Sequence, residues 1–341
     1  MRRFRLRAAV LVVMLFVVAC SQAAPSINQA HRTAPHPSGP LPGDLLIADR
    51  GNGRLLIVTP GGKIVWSLVL DARAGWPQTP LAADDAFFTP DRRQISINAE
   101  DQDVLARVDL RTRRIVWTYG HVGIPGSAPG YLHTPDDAYP LPNGDTLVAD
   151  IFNFRILEIT PDKRIVRQLG SPEAHEHNPP ISFASPNGDT PLPNGDVLVT
   201  EIGGSWVDRI DPVGHLVWSV HLSGIHYPSD AQLLANGDIL VVDYHSPGAV
   251  EEVRTNCTVA WKYRVTSGSG RLDHPSLAIM LPNGNVALND DNNDRVVVIN
   301  PRSMRIVWQY GHTGTPGTAP GYLNGPDGID FAGPNFALPP A

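Results

Sequence analysis

The segment Leu141-Pro-Asn-Gly-Asp145, followed by the apolar run Thr146–Asp150, decides the fold of this 341-residue chain because it recurs along it. Asn-Gly between two apolar runs predicts a tight β-hairpin, since both residues tolerate the positive φ of a type I′ turn. Further copies begin at Leu192, Leu234 and Leu281, and degenerate copies begin at Leu41 and Thr89. The sequence is therefore a series of antiparallel hairpins.

A second marker ends each unit about twenty-five residues after the hairpin phrase. It reads Ile64-Val-Trp66, Ile115-Val-Trp117, Ile165-Val-Arg167, Leu216-Val-Trp218, Val259-Ala-Trp261 and Ile306-Val-Trp308. The markers lie 51, 50, 51, 43 and 47 residues apart, which gives six repeats. One repeat, residues 136–170, contains four short predicted strands: Ala138–Leu141, Thr146–Asp150, Ile156–Ile159 and Arg164–Leu169. Six such repeats predict an all-β, six-bladed β-propeller with four antiparallel strands per blade.

The two ends of the predicted propeller complete one another. The first repeat starts at Gly43-Asp44 without its first strand, and Gly325–Phe331 copies the first strand of the third repeat at Thr134–Tyr139. We expect the C-terminal segment to supply the inner strand of the first blade, which leaves no open sheet edge along the ring. The propeller is assigned to residues 41–335 and a C-terminal tail to residues 336–341.

The N-terminus is predicted to be an export signal. Four arginines between Arg2 and Arg7 precede an apolar run from Ala8 to Ala19, which is too short for a permanent membrane span. The sequence Val17-Val-Ala-Cys20 resembles the lipobox of bacterial lipoproteins, which implies cleavage of residues 1–19 and a diacylglycerol on Cys20. Ordinary secretion, with cleavage after Ala23 or Ala24, is the alternative. Residues 20–40 are predicted to be a flexible tether.

Composition limits the partners and the location of the chain. With 27 Lys and Arg against 34 Asp and Glu, the net charge of −7 excludes a nucleic-acid partner, which requires a basic face. We expect an exported lipoprotein of the cell membrane or outer membrane, periplasmic or on the cell surface. It would contact the membrane through its N-terminal lipid only, be monomeric, and bind a small molecule or an extracytoplasmic protein.

Three families share motifs with residues 43–331. Asp49-x-x-Asn-x-Arg54 and its copies at Asp150 and Asp290 resemble the NHL repeat, and the blade ending Asn300–Trp308 is similar to PQQ-like propellers. The phrases His133–Asp145 and His226–Asp238 resemble bacterial arylsulfotransferases. These resemblances imply a periplasmic propeller, and the last implies a catalytic histidine, which would be His226. PQQ itself is not expected, because the sequence has no recognisable set of residues to bind it.

One mouth of the channel is the candidate site. The loops that enter the inner strands carry His133, His226 and His274, and His245 follows nearby. The turns between the second and third strands begin with acidic residues on the same face of the propeller. We therefore expect three or four imidazoles to share a concave mouth with the carboxylates of Asp150, Glu201 and Asp243.

Several roles remain open for this mouth. His133, His226 and His274 could bind Zn²⁺ with an open position, or act as nucleophile and general base. They could also recognise a ligand without chemistry, or only shape their loops. The Asp-x-x-Asn-x-Arg segments are predicted to be hairpin staples in which Arg pairs with Asp. Asp290–Asp294 superficially suggests a Ca²⁺ loop, but it lacks the Gly and the distal Glu of an EF-hand.

A fourteen-residue loop occurs twice with near identity, as Tyr119–Leu132 and Tyr310–Leu323. Each copy joins one blade to the next over the proposed mouth. Tyr131 and Tyr322 could offer stacking faces to a ligand, or the loop could be a rigid cap whose histidines bond locally. The hypothesis is a ligand- or partner-binding propeller, and the alternative is a metal-dependent lyase or hydrolase, or an arylsulfotransferase-like enzyme. The cofactor is unknown from the sequence, and Zn²⁺ and Ca²⁺ are the candidates.

Overall fold

The structure is a computed structural model that describes residues 39–76, 80–333 and 336–338. In that part of the chain, no helix is long and apolar enough to cross a membrane. The predicted signal peptide, Cys20 and nearly all of the tether lie outside the described residues, as do parts of the C-terminal tail. The predictions made for those segments stay predictions.

The described chain folds into six antiparallel sheets, the blades of a β-propeller. Blade one contains β1 (Leu45–Asp49), β2 (Arg54–Val58) and β3 (Ile64–Val69), and blade two contains β4 (Ala86–Phe88), β5 (Gln94–Ala99), β6 (Val104–Asp109) and β7 (Arg114–Gly120). Blade three contains β8 (Pro135–Pro140), β9 (Thr146–Asp150), β10 (Arg155–Ile159) and β11 (Ile165–Gly170). The predicted six-bladed, all-β architecture is confirmed.

The second half repeats the arrangement. Blade four contains β12 (Val197–Glu201), β13 (Trp206–Ile210) and β14 (Leu216–His221), and blade five contains β15 (Pro228–Leu233), β16 (Ile239–Asp243), β17 (Ala249–Val253) and β18 (Val259–Tyr263). Blade six contains β19 (Ala278–Met280), β20 (Val286–Asp290), β21 (Arg295–Asn300) and β22 (Arg305–Gly311), and the last strand is β23 (Pro326–Phe331). In blade four the inner segment of residues 186–191 pairs with β12 through isolated bridges at Pro186 and Pro191.

The C-terminal strand closes the ring as the sequence predicts. β23 pairs antiparallel with β1, with Leu45 opposite Phe331 and Ile47 opposite Ile329. Strand order in blade one is therefore β23-β1-β2-β3. The two ends of the propeller are joined by a sheet ladder, so the ring opens only if this pairing is lost.

The tryptophan markers join neighbouring blades. Trp66 Nε1 donates to the carbonyl of Leu110 at 3.0 Å, and Trp117 Nε1 donates to that of Pro161 at 2.9 Å. Trp308 Nε1 donates to the carbonyl of Pro60 at 2.9 Å and so links blade six back to blade one. Where the third marker has Arg167, its guanidinium donates to the carbonyl of Asp211 at 2.6 Å. The markers therefore bond the outer strands of blades one, two, three, five and six to the next blade.

The apolar core is divided among the blade interfaces. One cluster joins β1 and β2 to β5 and β6 through residues such as Leu46 and Ile97, and five further clusters fill the other interfaces. The strands alternate between these two flanking interfaces, which is the period of two that a strand provides. The inner ends of the blades are polar instead, and they surround the propeller axis.

Candidate functional site

An acidic pocket lies on the propeller axis. Its lining includes one polar residue from an equivalent position at the start of each inner segment: Asp84, Asp136, Asn187, Ser229, Ser276 and Asp327. All six are buried, with exposed fractions between 3% and 8%. Because each blade contributes once, this ring is a direct product of the sixfold repeat. The pocket encloses about 90 Å³, which is small beside the several hundred Å³ of a typical organic-ligand site.

The pocket has an excess of acidic groups. Among the residues that the structure describes, seven carboxyl groups line it: those of the ring residues Asp84, Asp136 and Asp327, and those of Asp85, Glu100, Asp137 and Asp230. They face one lining guanidinium, that of Arg50. Arg50 Nη1 contacts Asp84 and lies 2.8 Å from Asp327 Oδ2, and Nη2 lies 3.0 Å from Glu100 Oε2. One guanidinium cannot neutralise seven carboxylates, so the remainder must hold protons or bind a cation.

Burial and mutual repulsion shift the titration of these groups. Burial, followed by repulsion from Asp327, raises the pKa of Asp84 well above its usual value, and burial followed by repulsion from Asp137 does the same for Asp85. Burial raises the pKa of Asp230 to about 6. Although burial alone would lower the pKa of Arg50, attraction to Asp84 and Asp327 raises it, so the guanidinium stays charged.

Three of the carboxyl groups are close enough to share one ion. Oxygens of Asp84, Asp85 and Asp136 lie within 4.8 Å of one another. Two oxygens bound to Ca²⁺ at about 2.4 Å are at most about 4.8 Å apart, so the three groups match the span of a calcium coordination shell. Asn98 Nδ2 donates to Asp84 Oδ2 at 3.2 Å and to Asp136 Oδ1 at 3.3 Å, which holds these two carboxyl groups beside one another.

The rim of the pocket on blades five and six is aromatic. Tyr227 and Tyr244 line the pocket, with ring centroids 5.2 Å apart. The ring of His274 meets that of Tyr244 edge-on at 4.9 Å, and the rings of His226 and His245 lie 5.1 Å apart. The structure thus places the ring of His274 against the pocket lining and brings the rings of His226 and His245 together, while none of the three lines the pocket.

His133 occupies a different surrounding. Its ring lies against Phe152 on blade three, with 5.1 Å between centroids. Among the described residues, two groups of three side chains are spaced to hold a metal ion, and neither includes His133, His226 or His274. The metal-binding and catalytic roles assigned to these three histidines stay predictions, and the structure does not place their ring nitrogens in one such group.

The acidic residues predicted for the mouth lie inside the blades. Asp150 is buried, and its Oδ2 accepts from Arg155 Nε at 2.8 Å while its Oδ1 accepts from the backbone amide of His133 at 2.7 Å. Asp243 likewise accepts from the amide of His226 at 2.9 Å and pairs with Arg264 at 2.5 Å. These carboxylates anchor the histidine loops and do not line the axial pocket.

Glu201 and Asp290, the first residue of the suggested calcium turn, also contact neighbouring groups of the protein. Glu201 accepts from the amide of Ala184 and contacts His177 Nδ1 at 2.7 Å. Asp290 accepts from Arg295 Nε at 2.8 Å and from Asn293 Nδ2 at 2.9 Å. The pairing of Asp with Arg is the hairpin staple that the sequence predicts for Asp-x-x-Asn-x-Arg.

The two copies of the repeated loop have the same internal contacts. The rings of His121 and Tyr131 lie 4.2 Å apart, and those of His312 and Tyr322 lie 4.1 Å apart. The amides of Gly130 and Gly321 donate to the hydroxyl groups of Tyr119 and Tyr310 at 2.9 and 3.2 Å. In both copies the ring of the tyrosine that was a candidate ligand contact lies against the histidine ring of its own loop.

The axial acids are the site residues that sequence reasoning missed. The signal was present, because Pro135-Asp136, Pro186-Asn187, Pro228-Ser229, Pro275-Ser276 and Pro326-Asp327 open successive inner segments with proline and a polar residue. Acidic residues are depleted in strands, so the predicted inner strand of repeat three began at Ala138, whereas β8 begins at Pro135. The missed residues are those that turn toward the axis.

Comparison with known proteins shows the fold. No family model and no curated protein matches the chain. A protein of unknown function from Bacteroides caccae is 20% identical, with a TM-score of 0.57 over 85% of this chain and 98% of that one. A chain of a nidogen/laminin complex is 12% identical, with a TM-score of 0.57 over 84% and 97%. Virginiamycin B lyase from Staphylococcus aureus is 15% identical, with a TM-score of 0.52 over 79% and 84%. The chain is similar to all three in fold, and its own fold is a six-bladed β-propeller.

Proposed function

We propose that this chain is an exported, lipid-anchored β-propeller that binds Ca²⁺ in its axial pocket and, beside it, a small oxygen-bearing ligand. The observation that carries the proposal is the group of Asp84, Asp85 and Asp136, buried and within 4.8 Å of one another. Carboxylate and other oxygen donors are the ligands of hard cations such as Ca²⁺.

The charge of the pocket favours a divalent cation over a neutral ligand. Seven carboxyl groups face one guanidinium, and burial makes each unpaired negative charge costly. A bound divalent cation would replace protons that the buried carboxyl groups otherwise retain. The volume of about 90 Å³ accommodates an ion with several waters, whereas an organic ligand would have to bind at the rim.

The rim supplies groups for such a ligand. Tyr227 and Tyr244 offer ring faces and hydroxyl groups, and the imidazoles of His226 and His274 lie outside them, with side chains 62% and 31% exposed. A small carboxylate or polyol could bind the cation with one oxygen and the rim with others. We expect its thermal stabilisation of the protein to require both Ca²⁺ and these two imidazoles.

Calcium titration calorimetry tests the proposal. We expect chelator-treated full-length protein to bind one Ca²⁺ on the axis, and Asp84→Asn or Asp136→Asn to weaken that binding by at least about 10-fold, since each removes a charged ligand. Asp162→Asn is the matched control, because that carboxylate lies in an exposed hairpin turn paired with Arg164. Unchanged calcium affinity in both axial variants, or no calcium binding by folded protein, contradicts the proposal.

A metal-dependent lyase or hydrolase at the same rim is the second candidate. It is favoured by the contact of His274 with Tyr244, which places an imidazole against the ring of a tyrosine that lines the pocket. If the protein is such an enzyme, His274→Ala should abolish turnover while leaving calcium affinity unchanged. Ligand binding without turnover supports the binding function instead.

A further inference from the structure

Blade four neutralises its buried turn carboxylate differently from the other blades that have one. In blades one, three, five and six, a guanidinium meets that carboxylate, in the pairs Asp49–Arg54, Asp150–Arg155, Asp243–Arg264 and Asp290–Arg295, at 2.5 to 2.8 Å. In blade four the carboxylate is Glu201, and Trp206 stands where blades one, three and six have the arginine.

An imidazole from the connection between blades three and four takes the place of the arginine. His177 Nδ1 lies 2.7 Å from Glu201 Oε1. The ring of His177 is stacked on that of Trp206, with centroids 4.0 Å apart and planes 7° from parallel. Its other nitrogen, Nε2, lies 3.3 Å from the hydroxyl oxygen of Ser219 on β14. Three contacts therefore fix the orientation of this ring.

A second buried carboxylate stands beside this pair without a partner. Asp208 on β13 is fully buried, and among the described residues no donor bonds to either of its oxygens. Its Oδ2 lies 3.9 Å from His177 Nδ1, which is too far for a hydrogen bond. Burial, followed by the neighbouring Glu201 carboxyl, raises the pKa of Asp208 well above its usual value.

Blade five shows what blade four lacks. Glu251 occupies the position in β17 that Asp208 occupies in β13, and it pairs across the sheet with Lys262, whose Nζ lies 2.6 Å away. In blade four the cross-strand partner of Asp208 is Ser219. Two buried carboxylates thus share one imidazole, and the lysine that would supply the missing positive charge is absent at that position.

We propose that His177, Glu201 and Asp208 bind a divalent transition-metal ion, with Zn²⁺ as its best representative. The three side chains each offer a ligand atom within 4.8 Å of the others. A tetrahedral Zn²⁺ about 2.0–2.1 Å from its ligands holds them about 3.3 Å apart, between the 2.7 Å and 3.9 Å measured from Nδ1 to the two carboxylates. Small movements of the two carboxylates would therefore complete the site.

The donor set separates this site from the axial one. Imidazole nitrogen is a ligand of Zn²⁺ and its neighbours in the first transition row, whereas Ca²⁺ takes oxygen ligands. With its proton on Nε2, His177 donates to Ser219 and presents the lone pair of Nδ1 to the metal. A hydrogen bond from the other ring nitrogen commonly fixes the tautomer of a metal-bound histidine in this way. The side chain of His177 is 23% exposed, so the ion reaches the carboxylates from that side.

Zinc binding by the full-length protein tests the site. The chelator-treated protein is dialysed against Zn²⁺ in the presence of excess Ca²⁺, which occupies the axial pocket. We expect the wild type to retain one more zinc per chain than His177→Ala or Asp208→Asn. Substitution with Co²⁺ should give the visible d–d absorption of a low-symmetry site in the wild type, and that absorption should be lost in both variants.

Thermal denaturation and a matched histidine complete the test. Without metal, Asp208→Asn should be at least as stable as the wild type, because a neutral amide replaces a buried carboxyl group whose charged form is costly, whereas Zn²⁺ should raise the Tm of the wild type alone. His221→Ala is the control, since His221 contacts the same Trp206 ring at 4.8 Å and is not among the proposed ligands. Equal zinc content in the wild type and Asp208→Asn, or equal loss in His221→Ala, overturns the proposal.

Discussion

At the scale of the residue, one position along the chain separates a structural carboxylate from a pocket-lining side chain. Asp49 and Asp243 end second strands and point into their blades, where they accept from Arg54 and Arg264. The next residues, Arg50 and Tyr244, line the axial pocket. The turns were recognisable in the sequence. Which of two adjacent residues lines the pocket, however, depends on where the strand ends and the alternation of its side chains between two faces stops.

The hairpin staple should be one of the most sensitive pairs in the molecule. Arg295 is 1% exposed and Asp290 is fully buried, so Arg295→Met leaves a buried carboxylate without its cation. We expect the free energy of unfolding to fall by about 3–5 kcal/mol in equilibrium denaturation by urea. Arg164→Met, which breaks an exposed pair with Asp162, should leave the midpoint unchanged. Equal effects of the two substitutions would refute the assigned role.

At the scale of the element, local sequence predicts outer strands better than inner ones. The segment Leu141–Asp145 forms the turn that leads into β9, and the marker at Trp117 lies in β7, as expected, because apolar alternation and Asn-Gly turns act locally. The inner strand β8 was predicted three residues too late, since its Pro-Asp-Asp start is atypical of strands. Those residues are tolerated because they face other blades across the axis instead of an apolar core.

The C-terminal strand should contribute to the stability of the whole ring. Ile329 on β23 is fully buried opposite Ile47 on β1. Ile329→Ala should lower the free energy of unfolding by about 2–5 kcal/mol, measured by chemical denaturation, because it leaves a cavity in the closing sheet. Ile124→Ala, in an exposed loop, should change it by less than about 0.5 kcal/mol. A similarly small effect at Ile329 would mean that the pairing of β23 with β1 does not hold the ring closed.

At the scale of the whole molecule, ring closure creates the site. Arg50 and Asp327 are 277 positions apart in sequence and lie within hydrogen-bonding distance of one another in blade one, where β23 pairs with β1. The number of blades was predictable because the repeated sequence markers can be counted along one chain. The acidic pocket was not predictable, since its six ring positions are far apart in sequence and become neighbours only when the sheets close into a circle.

The axial carboxyl groups also predict how stability depends on pH. Their pKa values are raised in the folded state, so the folded protein holds protons that the unfolded chain releases above about pH 4. Without divalent cations, the free energy of unfolding should therefore fall as pH rises from about 5 to about 8, which includes the pKa of about 6 at Asp230. Denaturation at several pH values measures the slope, and stability that rises over this range contradicts the assignment.

Anomalous diffraction from crystals grown with Tb³⁺, which takes the place of Ca²⁺, tests the axial cation site most directly. The structure predicts an anomalous peak on the propeller axis, about 2.3–2.6 Å from carboxylate oxygens of Asp84, Asp85 and Asp136. The same peak should disappear in Asp136→Asn crystals. Terbium bound only at the exposed surface or in the Asp290–Asp294 turn, with no peak on the axis, would contradict the account.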